Sequence, residues 1–120
     1  MSSEPQRRRL EVEKIGDVTV VSLRDRKILV EEQIQTLGQQ LLSLANESGR
    51  MQLLLNFRNV EYMSSAVLGM LVTLNKKIKT AGGKLVLCNI DPQIREVFEI
   101  TKLDKLFVIR GEEQEAIEAF

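Results

Sequence analysis

Residues 51–74 read MQLLLNFRNVEYMSSAVLGMLVTL. The stretch changes periodicity in the middle. Its first part, around Leu53-Leu54-Leu55, is apolar without a break over strand length. A half-exposed strand alternates, so a continuous run of this kind predicts a strand covered on both faces. The part after Ser64-Ser65 places Val67, Leu71 and Leu74 at helical spacing, and Ile78 extends the stripe, while Lys76, Lys77 and Lys79 lie off it near the end. Apolar residues at three- and four-residue intervals specify an amphipathic helix, and cations in its last turns suit the helix dipole. A strand passing through a short loop into a helix is half of a parallel crossover unit.

The same reading extends outward. VTVVSL is rich in β-branched residues and predicts a strand over 17–23, preceded by a short edge strand carrying Leu10, Val12 and Ile15 up to the Gly16-Asp17 turn. Val30, Ile34, Leu37, Leu41 and Leu44 form one inward stripe of a helix that stops near Asn46-Glu47-Ser48-Gly49. Gly82-Gly83 ends the second helix, and LVLC follows as a strand over 85–88. Pro92 opens a third helix, with Ile94, Val97, Phe98 and Thr101 inward. A short strand over 106–109 and an acidic helix over 112–120 close the chain, the latter with Ala116, Ile117 and Phe120 facing in. The expectation is a single α/β domain over 10–120, with a mostly parallel central sheet of about five strands and helices packed on it. Residues 1–9 are expected to be a flexible N-terminal tail.

Composition narrows the function. The 120 residues are 43% hydrophobic and 28% charged, ordinary values for a folded domain. Seventeen Lys and Arg balance seventeen Asp and Glu, so no global field recruits a polyanion and nucleic acid is not an expected partner. Histidine is absent, which removes the commonest general base and metal ligand together. Cys88 is the sole cysteine, so neither an internal disulfide nor a thiolate metal cage can form. Preceded by apolar residues at a strand end, it reads as a small buried hydrophobe. Gly82-Gly83-Lys84 lies between a helix and a strand, the reverse of the order that aims amides at a phosphate. The expectation is no enzyme, no catalytic residue, no metal and no cofactor. The longest apolar stretch, 66–74, is interrupted by Gly69 and Thr73 and is far shorter than the about 20 residues of a membrane span. A cytoplasmic protein without a membrane partner is expected, as a monomer or weak dimer.

Ser64 and Ser65 sit where the loop gives way to the second helix. One role for such a hydroxyl is to cap an unsatisfied first-turn amide, and another is to stand exposed at the loop tip and receive a phosphoryl group. Two adjacent serines allow both. The stretch 56–109 resembles the STAS domain of bacterial anti-sigma-factor antagonists. That signature is an apolar strand, a Tyr/Phe-Met-Asp-Ser-Ser/Thr-Gly-Leu-Gly loop and a helix, met here by YMSSAVLG at 62–69. Downstream, Gly82-Gly83, LVLC and the Phe98-Glu99-Ile100-Thr101-Lys102-Leu103 sequence match the order and spacing of the family pattern.

The resemblance implies that Ser65 is the residue a partner kinase phosphorylates. It implies further that Tyr62, Met63, Ser64, Ser65, Ala66, Val67 and Gly69 form the partner-binding loop and helix. The partner would be an anti-sigma factor of the histidine-kinase-like serine kinase type, and ATP would belong to that kinase. Binding would free a sigma factor, and phosphorylation would silence the antagonist. Several positions depart from the pattern. Ser64 replaces an aspartate, Ala66 a second hydroxyl residue and Val67 the first glycine, and RDRKILV at 24–30 lacks the family's acidic loop, with Val30 near the expected aspartate. The alternative is a non-phosphorylated STAS scaffold subunit of a larger bacterial signalling assembly.

Overall fold

The computed structural model describes residues 10–48 and 51–120, so the tail expected over 1–9 lies outside the described residues. The Leu53-Leu54-Leu55 run is the middle of β4 (Gln52–Asn56) and the centre of a five-stranded sheet. Its neighbours are β2 (Val18–Leu23) and β6 (Lys84–Cys88), both parallel to it, with Val20 opposite Leu54 and Leu54 opposite Val86. β7 (Val108–Arg110) adds a further parallel strand beside β6. At the other edge, β1 (Leu10–Ile15) turns at Gly16-Asp17 and pairs antiparallel with β2. The order is β1-β2-β4-β6-β7, in accord with the single α/β domain and mostly parallel sheet expected.

Both faces of this sheet are covered, which is why the leucine run has no polar interruption. Leu53, Leu55, Leu85 and Leu87 enter the larger core together with Ile34, Leu37 and Leu41 of α1 (Glu31–Ser48) and Val67, Leu71, Leu74 and Ile78 of α2 (Ser65–Thr80). Leu54, Val86 and Cys88 point the other way and pack with Ala116 of α4 (Glu113–Glu118). Adjacent leucines thus serve opposite layers, as the two-residue period of a strand requires. Gly82, at φ 86°, lets the chain leave α2, and at Gly83 a Cβ would meet the Met51 carbonyl oxygen at 2.1 Å. The glycine pair therefore ends the helix and lets β6 start hard against the entry to β4.

Some expectations need correction. Val30 is not on the buried stripe of α1; it precedes the helix and is 62% exposed. In α3 (Pro92–Ile100), Ile94 and Phe98 alone are buried. Val97 lies on the flank of this short helix, and the Thr101 hydroxyl donates back to the Val97 and Phe98 carbonyls (2.8 and 3.2 Å), which satisfies it outside the core. The last strand begins two residues later than the pattern predicts, because Leu103–Lys105 form a 3-10 turn. Leu106 is left exposed, while Phe107 is buried with its ring edge-on to Phe98 at 5.8 Å. The sequence reading also missed β3 (Lys27–Ile28) and β5 (Tyr62–Met63), which pair parallel in a separate two-stranded ribbon.

Leu71→Ala is expected to lower stability by about 2–5 kcal/mol through lost transfer energy and a cavity. Gly83→Ala should cost about 1–3 kcal/mol by forcing backbone apart. Gly69→Ala, where an added methyl meets nothing within 4 Å, should instead raise stability by about 0.5–1 kcal/mol. Denaturant unfolding of the three variants checks the register, and an unchanged Leu71→Ala midpoint would contradict it.

Candidate functional site

Parallel strands joined by helical crossovers bring their carboxyl ends to one pole. There the loop leaving β4 meets the segment that enters α1. The Glu61 and Tyr62 N–H groups donate to the Arg26 carbonyl (2.8 and 3.1 Å), and the Ser64 N–H donates to the Ile28 carbonyl (2.9 Å). Arg26 Nε donates to Glu61 Oε1 at 2.9 Å, a contact that raises the guanidinium above its ordinary value. Lys27 Nζ stands 5.5 Å from the centroid of the Tyr62 ring.

This ribbon delivers the two serines to different environments. Ser64 is the N-cap of α2, with extended backbone, and its Oγ accepts the Ala66 N–H at 3.1 Å. Ser65 is the first helical residue; it is exposed, and no hydrogen bond among the described residues engages its hydroxyl. Of the other residues singled out from sequence, Tyr62, Ala66 and Gly69 are exposed and Met63 is half-buried. Val67 is fully buried. It anchors the helix to the sheet and offers no surface to a partner.

Beside Ser65 is a hollow of about 170 Å³ lined by Tyr62, Ser64, Ser65, Leu68, Ile94 and Val97. Its far wall is α3, a contribution hidden from the sequence because Val97 reads as a core position in a helical pattern. Leu29 and Val30, 50% and 62% exposed, directly follow Ile28, whose pairing with Met63 and hydrogen bond from Ser64 tie their segment to the serine loop. Tyr62, which lines the hollow, is 49% exposed. A wider cleft of about 750 Å³ continues past Tyr62 and Gln93 to Arg58, Asn89 and Gly111. Behind it, Asn56 Nδ2 donates to Glu113 Oε1 at 2.9 Å, and Asn56 Oδ1 accepts from the Arg58 N–H and Asn89 Nδ2. These polar groups tie β4, β6 and α4 together.

This arrangement presents a hydroxyl amid apolar side chains rather than an acid–base pair. Cys88 is buried, and burial, with a smaller push from the Glu113 charge, raises its thiol to about 12, against the Asn89 hydrogen bond that lowers it. It is protonated at neutral pH and cannot serve as a nucleophile. Among the described residues, no group of three or more His, Cys, Asp or Glu side chains could hold a metal ion. Nor is any helix among them long and apolar enough to cross a membrane.

The sequence model of the STAS domain matches residues 9–116. A protein of Bordetella bronchiseptica named as an anti-sigma factor antagonist, BtrV, is 32% identical over 74 residues, which span 62% of this chain and 64% of that protein. The match thus falls short of two-thirds of the relative's length. Among solved structures, one named as an anti-sigma factor antagonist from Thermotoga maritima superposes with a TM-score of 0.79 at 25% identity, covering 92% of each chain. An anti-sigma factor antagonist from Mycobacterium paratuberculosis gives 0.76 at 26% identity, over 92% of this chain and 91% of that one. A STAS domain protein from Planctomyces limnophilus, at 24% identity and a TM-score of 0.79 over 92% and 96% of the two chains, shares the fold.

Ser64→Ala is expected to lower stability by about 1 kcal/mol through loss of the cap, whereas Ser65→Ala should stay within about 0.5 kcal/mol of the parent. Equal losses in thermal unfolding would contradict the division of roles. For Cys88, the unfolded thiol ionises near 9.0 and the folded one near about 12, so the unfolded state sheds its proton first. Its contribution to stability therefore falls as pH rises through that window, by about 1.4 kcal/mol per pH unit. The difference between the parent and Cys88→Ala, followed upward from about pH 9, where the unfolded thiol begins to ionise, to about pH 11, should approach this slope, and a flat difference would refute the burial argument.

Proposed function

This chain belongs to the STAS domain family, and from that premise we propose that it is an anti-sigma-factor antagonist whose binding to an anti-sigma factor is switched by phosphorylation of Ser65. STAS proteins named as anti-sigma factor antagonists are regulatory binding proteins, not enzymes. Binding occupies the anti-sigma factor and releases a sigma factor. The partner is of the serine-kinase type and supplies the ATP.

One observation carries the reading: the Ser65 hydroxyl is exposed and unengaged at the start of α2, bordered by the hollow against α3 that Tyr62 also lines, with exposed Leu29 and Val30 on the segment paired with the same loop. The unmodified face is apolar enough to dock. A phosphate adds about −1.5 to −2 charge. The folded chain accepts that charge readily, because it falls at a helix N-terminus. A docked complex does not, since an uncompensated charge buried in an interface costs about 3–5 kcal/mol. That corresponds to roughly a hundredfold to a few thousandfold in affinity.

A second reading is a scaffold without a phosphate cycle. What favours it is the segment before α1, where Leu29 and Val30 present exposed apolar side chains and Val30 falls near the aspartate expected from the family. The same face would then serve permanent assembly.

The experiment pairs the chain with its cognate anti-sigma kinase and ATP. Intact-mass and fragment analysis should find one phosphate, on Ser65. Ser65→Ala should bind the partner without being modified, and Ser65→Asp should bind about a hundredfold more weakly or worse. Phosphate absent or on another residue, with Ser65→Asp binding as the parent does, would overturn the switch in favour of the scaffold.

A further inference from the structure

α1 departs from Val30, whose carbonyl accepts the Ile34 N–H at 3.0 Å but whose side chain has no oxygen with to cap the helix. Gln33 takes over that task from inside the first turn. Its Oε1 accepts the N–H groups of Leu29 and Val30 (3.1 and 3.4 Å), the reach-back half of a capping box. Its Nε2 meanwhile donates to the Asp25 carboxylate at 3.1 Å and to the Lys27 carbonyl at 2.8 Å. One side chain thus gathers the whole segment from Asp25 to Val30 around itself.

That segment is also the strand against which the serine loop is built. Lys27 and Ile28 pair with Tyr62 and Met63, and the Ile28 carbonyl receives the Ser64 N–H. A ribbon of two residue pairs does not hold its own shape. The Arg26–Glu61 ion pair across it is exposed and screened. The half-buried Gln33, with contacts on both sides of Lys27, is the part that fixes the ribbon to a long helix.

We infer that Gln33 is a positioning residue for the Ser65 turn. It holds residues 25–30 in the conformation that lets the Ile28 carbonyl receive Ser64, and so sets how Ser65 is presented. It also keeps Leu29 and Val30 outward by binding their amides from the helix side. The functional weight of this coupling rests on the proposed role of Ser65, whereas the coupling itself is a property of the unmodified chain.

Amide hydrogen exchange measured by NMR on the full chain tests it, using Gln33→Ala, Gln33→Glu and, as control, Gln35→Ala, whose side chain bonds Glu31 on the exposed side of the same helix. Gln33→Ala should accelerate exchange at Glu61, Tyr62 and Ser64 by about tenfold beyond any change at Leu54 in the central strand, which reports global opening. Gln33→Glu keeps the acceptor and loses both donors, so the same three amides should accelerate while Leu29 and Val30 stay protected. Gln35→Ala should change none of them. The inference is overturned if Ser64 and Tyr62 exchange as in the parent, or if they accelerate only as much as Leu54. Failure of the kinase to modify Ser65 would leave this coupling standing, and failure of the coupling would leave the modification standing.

Discussion

A strand that is apolar on both faces must be covered twice, and the rest of the molecule follows from meeting that demand for Leu53-Leu54-Leu55. Covering both faces calls for helices on each, and helices reached from parallel strands require crossovers. α1 and α2 cover the face formed by Leu53 and Leu55, while α4 covers Leu54, Val86 and Cys88. Because the strands run in one direction, every crossover leaves from the same pole. The loops between strand and helix gather there, and α2 begins there.

What gathers at that pole is held by small devices rather than by the core. The ribbon of β3 and β5 ties the approach to α1 to the approach to α2. Ser64 spends its oxygen on the helix start, which leaves the neighbouring hydroxyl unengaged. Two adjacent serines of similar chemistry thereby acquire different roles from a single hydrogen bond. Beside the free one, Tyr62, Leu68 and Val97 supply apolar area contributed by α3 and the loop as well as α2, and exposed Leu29 and Val30 extend the segment paired with that loop. In the proposed switch the docking face and the site of added charge coincide, and a phosphate acts most strongly where docking would strip it of water.

The layers were legible in the sequence because burial imposes periodicity. The leucine run, the Val67-Leu71-Leu74-Ile78 stripe and the Pro92 helix start each follow from one local rule, and Ser64 as a cap follows from its place before an apolar run. The pole was less legible. Val30 sits one helical step before Ile34 and matches the stripe, but the helix begins after it and its side chain points to water. Val97 likewise matches a pattern that a nine-residue helix buries through Ile94 and Phe98 alone. β3 and β5, two residues each, carry no periodicity to read, since their pairing is set by hydrogen bonds between segments about 35 residues apart. Gln33 looks like any polar residue of a first turn until its four partners are seen together.

The central claim is that charge on Ser65 governs docking through this face. It is tested most directly by titration calorimetry of the cognate anti-sigma factor against two forms of the full chain, one unmodified and one with phosphoserine genetically encoded at position 65. The account predicts that the phosphoserine form binds about a hundredfold or more weakly while unfolding at the same or a higher temperature, since a helix N-terminus tolerates the charge that the interface cannot. Equal affinity of the two forms, with the phosphate verified at Ser65, would contradict it.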